Sequence, residues 1–381
     1  MGNGKHVSAS AAPKRAGPLA GLRVLEFSSI GPGPHCAMLF SDLGAEVVRI
    51  DRPGGNGWPN PIVDRGRQAL AIDLHTASGR DLSISAADKA DVLIEGFRPG
   101  VMERLGLGPQ VLMLRNPRLV YGRMTGWGQE GTFATAAGHD INYIALTGAL
   151  AAMGRPGEPP RPPLNLVGDF GGGSLFLAFG IMAALWERNR SQCGQVVDAA
   201  IVDGVASLMS TLVGVAGTGA ITLEREHSLL GGAAPFYRCY ACKDGLHVAV
   251  GAIEPRFYAR LVDLTGAPAT LIHEQYETER WIEHHAIFAA LFATRTREEW
   301  CSLLEGTDAC FAPVLTTEEA IRHEHMKSRA AFTRIGELEH NSPAPRFSRT
   351  PGSIGEGGDG KLALQRWGVD PALLALAHSS S

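Results

Sequence analysis

A chain of 381 residues is long enough for two or three domains, each burying its own core. Hydrophobic residues at 45% and charged residues at 19% match ordinary globular usage and exclude a disordered chain, while 47 glycines announce many tight turns. A formal net charge of -4 leaves no basic stripe for nucleic-acid phosphates, and six cysteines fit free thiols in a reducing compartment better than a disulfide framework.

In chain order, residues 1–18 are small, polar and basic, with no acid before Glu26 and no apolar secretory core, so a disordered tail is expected, an organellar transit peptide being the alternative. From Leu22 the pattern predicts strand 22–27, a Gly/Pro turn at 31–34, helix 35–43 and strand 46–50, which is a βαβ unit. Strands at 69–73, 92–95 and 119–123, with helices at 78–89 and 101–105, extend this into an α/β domain with a mainly parallel sheet. Residues 154–163 hold five prolines and read as an extended loop, followed by apolar helices at 174–188 and 199–215. The uncharged stretch 204–222 has the length of a membrane span, but its Gly, Ser and Thr content favours a buried, closely packed helix.

Beyond residue 216 the pattern changes: segments 236–242 and 246–252 flank Lys243-Asp244-Gly245, a hairpin signal, and helices are expected at 256–264, 281–293 and 297–304. The expected division is therefore a tail at 1–18, a large Rossmann-like α/β domain at 19–215 completed by 335–381, and a smaller α+β domain at 216–334. The segment 342–360 is too poor in periodic apolar residues to be independent. The terminal Ser-Ser-Ser is no peroxisomal Ser-Lys-Leu address, so a cytoplasmic location is the default.

Two motifs fail on inspection. Gly126–Gly131 is a formal G-x-G-x-x-G, but no apolar helix follows it, and Gly31-Pro-Gly-Pro has Cys36 where a third glycine would be needed. Cys239 and Cys242 form a lone C-x-x-C without a second pair, so no metal is expected.

The residues able to carry chemistry lie elsewhere. Gly138-His139-Asp140 places an imidazole after a glycine, with Asp140 poised to cap a helix whose N–H groups suit an oxyanion, making His139 a natural base. Asp169 stands alone before three glycines and is the matching acid, a pair of opposite proton occupancy such as inversion next to a thioester carbonyl requires. On residue types alone a helix cap and a turn aspartate remain the plainer alternatives. Glu254 follows a predicted strand and either orients the histidine or is a solvated loop carboxylate. Arg52, Arg98 and Arg104 lie at or beyond strand ends, where their planar forks suit a polyphosphate or are merely surface charges.

With GPGPHCAML (31–39), DLGAEVVRIDRPG (42–54), ADVLIEGFRPGVMERLGLGP (90–109), AGHDINY (137–143), PLNLVGDFGGG (163–173), GQVVDAAIVDG (194–204) and VAVGAIEPRFY (248–258), the sequence resembles the α-methylacyl-CoA racemases of the CaiB/BaiF, or family III CoA-transferase, superfamily over about residues 18–350. The resemblance implies that His139 and Asp169 are the proton-transfer pair, that Glu254 supports the histidine, and that the backbone N–H of Asp140 holds the enolate oxygen. It also implies CoA contacts at Arg52, Ile72, Asp73, Leu74, His75, Gly96, Phe97, Arg98 and Arg104, with Gly138, Ile141, Asn142, Tyr143 and Asn165 around the reacting centre. An interlocked, ring-like homodimer is implied, with the site between the large domain of one chain and the small domain of the other. No cofactor is implied, since CoA arrives with the substrate, and neither nucleic acid nor membrane is an expected partner. Two rivals remain: a CoA transferase using Asp169 as nucleophile through an acyl-aspartyl anhydride, and a non-catalytic acyl-CoA-binding protein. His139 and Glu254 select the racemase. One departure is that similar racemases show LDGGAPFY where this chain reads Leu229-Leu-Gly-Gly-Ala-Ala-Pro-Phe-Tyr237, without the aspartate.

Overall fold

The computed structural model describes residues 16–55, 58–155, 157–225 and 227–375, so most of the expected tail lies outside the described residues. Two compact units are present: one comprises residues up to 143, 165–205 and 340 onward, the other 144–164 and 206–339.

The first unit is built on strands β1 (Arg23–Phe27), β2 (Glu46–Asp51), β3 (Gln68–Ala71), β4 (Val92–Glu95), β5 (Val120–Thr125) and β6 (Val196–Ala200). Late in the chain β12 (Gly358–Asp359) returns to this sheet, giving the order β12-β3-β2-β1-β4-β5-β6 with parallel pairings. The chain builds outward from β1 through β2 to β3, then crosses back to β4 on the other side of β1. That reversal is a topological switch point.

Strand residues alternate between two buried faces. Leu25, Phe27, Val48, Ile50, Leu70, Leu93 and Tyr121 pack on one face with Leu82 and Ala86 of helix α2 (Ala77–Ala87) and with Met102 and Leu112 of helices α3 (Val101–Arg104) and α4 (Pro109–Arg115). On the other face lie α1 (Pro32–Asp42) and, beyond a short helix α5 (Asp140–Leu146), α6 (Leu175–Ser191); a side chain at Gly122 of β5 would meet Leu177 and Ile181 of α6. The first turn of α1 holds Pro32 and Pro34, whose missing N–H groups cost nothing where a helix has no internal acceptors.

Glu26, on the α1 side of β1, begins a buried charge chain: it pairs with Arg67 at 2.5 Å, Arg67 with Asp64 at 2.5 Å, Asp64 with Arg49 at 2.7 Å, and Arg49 with Asp51 at 2.9 Å. Burial pushes the Glu26 carboxyl up, and the Arg67 guanidinium opposes it. Removing either partner would strand a buried charge, so this chain of pairs fixes the connection between β2 and β3.

In the second unit β7 (Tyr237–Ala241), β8 (His247–Gly251) and β9 (Phe311–Pro313) form an antiparallel sheet, with the expected hairpin turning at Gly245, φ 77°. Its core is aromatic: Phe236, Tyr258, Phe288, Phe292 and Trp300 are fully buried. Helices follow α7 (Ile201–Leu208) as α8 (Ser210–Gly217), α9 (Pro255–Thr265), α10 (Trp281–Phe292) and α11 (Arg297–Leu304), the last opened by a Thr296/Glu299 capping box. Short strands β10 (Phe332–Ile335) and β11 (Leu338–Asn341) pair with each other later in the chain.

Three expectations need correction. The helix expected over 199–215 is instead the end of β6 followed by α7 and α8, because Val196–Ala200 pairs with β5 and the Ser210 hydroxyl bonds back to the Ser207 carbonyl at 2.5 Å where the helix breaks. Nor is the apolar stretch 204–222 a buried helix: no residue of α8 is buried, and Val213 is 54% exposed. The helix expected from Ser174 begins earlier, as a π-helix over Leu166–Ser174 that runs into α6. That continuous run, 166–191, has the length and hydropathy of a membrane span, yet Leu177, Ile181 and Ala184 are packed inside the unit.

Candidate active site

Parallel strands present their carboxyl ends on one edge, and the sequence-predicted residues of the first unit gather there. Arg52 follows β2, with its Nε donating to the Gly55 carbonyl at 3.1 Å. Ile72 is buried and donates its amide to the Asp51 carbonyl at 2.8 Å; Asp73 accepts the His75 amide at 2.9 Å, a local turn that exposes both residues, while Leu74 packs partly on the core. After β4, Gly96, Phe97 and Arg98 are held by Glu95, whose carboxylate accepts the Phe97 amide at 2.7 Å and pairs with Arg123 at 2.9 Å. Burial pushes the Glu95 carboxyl up to about 7, against the pull of the Phe97 amide and Arg123. Arg104, in α3, lies over Gly100. Arg52, Arg98 and Arg104 are exposed, and none has an ion-pair partner among the described residues.

After β5 the chain descends through Gly126–Gly131 without entering a helix. His139 is exposed just before α5; its amide donates to the Asn142 side chain at 3.0 Å. Tyr143 stands edge-on to Trp127, ring centroids 4.7 Å apart, and its hydroxyl donates to the Gly138 carbonyl. Ile141 is 45% exposed.

Asp140 does not cap the helix with its side chain, as the sequence suggested. Its carboxylate reaches across to the π-helix and accepts the Asp169 amide at 2.6 Å, tying the His139 turn to the carboxylate that sequence reasoning paired with it. The other carboxylate oxygen of Asp140 is buried without a hydrogen-bond partner among the described residues. Burial raises the Asp140 carboxyl, and the amides of Asp169 and Gly168 oppose that.

Asp169 lies inside the π-helix, one turn of which is closed by Phe170 N–H donating to the Asn165 carbonyl at 3.2 Å. The glycines after it serve packing: a side chain at Gly172 would strike Val205 and the Ile201 carbonyl, and one at Gly173 would strike Ile201 and Pro32. Asn165 Nδ2 approaches the Asp169 carboxylate at 3.3 Å. At the switch point, Gly31 takes φ 72°, and a side chain there would lie 3.3 Å from Asp169 Oδ2. Burial is the largest influence on Asp169 and raises its pKa; Asn165 lowers it, Asp140 raises it, and His139 lowers it. Burial, and then the charge of Asp169, also raise the Tyr143 phenol. A carboxyl predisposed to hold a proton is a proton donor in waiting.

Glu254 belongs to the second unit. Its carbonyl accepts the amides of Phe257 and Tyr258 at the start of α9, its carboxylate makes no cap, and the preceding Ile253 carbonyl is gripped by Gln275 at 2.7 Å and Tyr276 at 2.6 Å. Sequence reasoning missed Glu95, Gln275, Tyr276 and the side-chain role of Asp140; only the glycine run after Asp169 hinted at unusual helix packing. Among the described residues, no group of His, Cys, Asp and Glu is arranged for a metal ion.

Fold and site thus define an α/β protein that gathers exposed guanidinium groups, an imidazole and a carboxyl whose pKa burial raises on the carboxyl edge of one sheet. The chain belongs to CoA-transferase family III, whose description matches residues 19–357. It is 48% identical over 334 residues to the α-methylacyl-CoA racemase of Mus musculus and 45% identical to that of Homo sapiens, with 87% of each chain covered in both comparisons. It is 30% identical to succinyl-CoA–D-citramalate CoA-transferase of Chloroflexus aurantiacus, covering 88% of this chain and 89% of that one. The crystal structure of Rv3272 from Mycobacterium tuberculosis superposes with a TM-score of 0.76 at 26% identity, covering 91% of this chain and 98% of the other. A CaiB/BaiF family protein from Brucella suis shares the fold, with a TM-score of 0.77 at 24% identity over 93% of this chain and all of that chain.

Proposed function

We propose that this chain is a racemase interconverting (2R)- and (2S)-2-methylacyl-CoA thioesters. The observation that carries the proposal is the Asp140 bridge, which holds the His139 turn against an Asp169 whose surroundings favour the protonated acid. A neutral His139 takes the α-proton from one face of the thioester, leaving an enolate, and Asp169 returns a proton to the other face. The reverse direction uses the ionised Asp169 and the imidazolium. The amide of Asp140 serves the enolate oxygen, Glu254 supports the imidazole, and Arg52, Arg98 and Arg104 take the phosphates of CoA alongside residues 72–75 and 96–98. The thioester itself acidifies the α-carbon, so no cofactor enters the scheme.

A homodimer accompanies this reading. In the first unit Phe179 and Trp186 of α6 are each 73% exposed, and in the second α8 is unburied throughout; each is an apolar face of the kind that obligate partners cover. A cytoplasmic location is the default.

The transferase alternative asks Asp169 to attack as a nucleophile and has no use for an imidazole at position 139 or for Glu254. Proton NMR in deuterium oxide with one configuration of a 2-methylacyl-CoA separates the two. Racemisation requires α-deuterium wash-in together with loss of optical purity; an inert α-proton combined with transfer of CoA to an added carboxylic acid, releasing the free 2-methyl acid, would establish the transferase instead.

A further inference from the structure

We propose that His35 is a positioning residue that holds Asp169 at the reacting carbon, an inference that rests on the racemase reading above. The first turn of α1 touches the π-helix at its middle and at its C-terminal end. Gly31 lies beneath the Asp169 carboxyl, while His35, whose amide bonds back to the Gly31 carbonyl at 3.4 Å, reaches the far end of the same segment. There its Nδ1 is 2.7 Å from the Ser174 hydroxyl, and its ring lies 4.8 Å from that of Phe170, the residue next to Asp169.

A π-helix needs such a clamp. Its hydrogen bonds are intrinsically poorer than those of an α-helix, so relaxation to α geometry is always available and would re-aim every side chain before the slip. Gly171, Gly172 and Gly173 carry no side chains to resist it. The register is therefore fixed from outside: Asp140 grips the Asp169 amide on one side, and His35 grips Phe170 and Ser174 on the other. Imidazole suits the task because burial lowers its proton affinity and keeps it neutral beside the hydroxyl.

The test uses the fact that Asp169 serves only one face of the substrate. Incubated in deuterium oxide with each pure configuration of 2-methylacyl-CoA, a variant with a misplaced Asp169 still exchanges the proton that His139 removes but cannot complete inversion. Asp169→Asn supplies the reference pattern. His35→Ala is expected to slow inversion about tenfold while exchange without inversion persists for the configuration that also exchanges in Asp169→Asn. Ser174→Ala should shift this partition the same way, the double variant should be no worse than His35→Ala, and His35→Asn, which keeps a polar atom near Nδ1, should restore most inversion. If alanine prevents folding, His35→Phe keeps the ring on Phe170 without the hydrogen bond and must show the same shift. Equal losses of exchange and inversion for both configurations, or an unchanged partition, overturn the inference while the racemase reading stands. An inert wild-type protein overturns both.

Discussion

Asp169 is held against its own preference in water. Burial raises its pKa above the ordinary 3.8, so the folded protein binds that proton more tightly than the unfolded chain does. Its contribution is fully present below the unfolded value and is lost as pH rises through the raised folded value, which makes the wild-type site a liability at neutral pH. Asp169→Asn is therefore expected to abolish inversion while making the protein more stable than the wild type at pH 7. The gain should shrink to nothing below pH 4 in urea melts; a destabilised variant at pH 7 would contradict this. At this scale the sequence exposed the actors but not their ties. His139 and Asp169 stand out by residue type and neighbours, whereas the Asp140–Asp169 and His35–Ser174 contacts join positions 29 and 139 residues apart, which no local pattern reveals.

Among the elements, the π-helix is where periodicity misled. Apolar spacing marked a helix from Ser174, and that part exists, but the preceding π-helical turn lies where Gly172 and Gly204 let two backbones meet, which apolar spacing does not show. A side chain at Gly204 would lie 1.9 Å from the Gly172 carbonyl oxygen. Gly204→Ala should accordingly cost about 1–3 kcal/mol and, by shifting the segment that carries Asp169, lower turnover beyond what the loss of folded protein explains. Thermal melts and kcat measured on the folded fraction check both, and an alanine variant with native Tm would show that the contact is not tight. The strands at 92–95 and the helix at 297–304 were legible to the residue because β-branched runs and a Thr-x-x-Glu box specify their ends locally. The breakup of 199–215 into strand, α7 and α8 was not, since Val196–Ala200 becomes a strand only by pairing with β5.

For the whole molecule, the βαβ order predicted a parallel sheet, and the carboxyl edge followed from it; the sequence reading assigned 335–381 to the large domain but did not foresee the strand and helices by which that segment joins the sheet. Residues beyond the family match supply β12 and helix 360–367, whose Leu364 and Trp367, with Leu374 farther on, are buried in the large core, and Trp367 also donates to Glu46 at 2.7 Å. At roughly 2 kcal/mol for each of these side chains, a chain ending at Gly357 forfeits most of an ordinary domain's margin. Its large unit is expected to lose cooperative melting by circular dichroism at 25 °C; an unaltered Tm would mean that this segment is not part of the core.

In the proposed reaction His139 and Asp169 each serve one face of the same α-carbon. The most direct test is α-deuterium exchange by His139→Ala and Asp169→Asn, each given both pure configurations of 2-methylacyl-CoA in deuterium oxide. Both variants are expected to lose inversion, and each to retain exchange for one configuration only, the opposite one in the two cases. Loss of exchange from both configurations in both variants, or full racemisation by either, would contradict it.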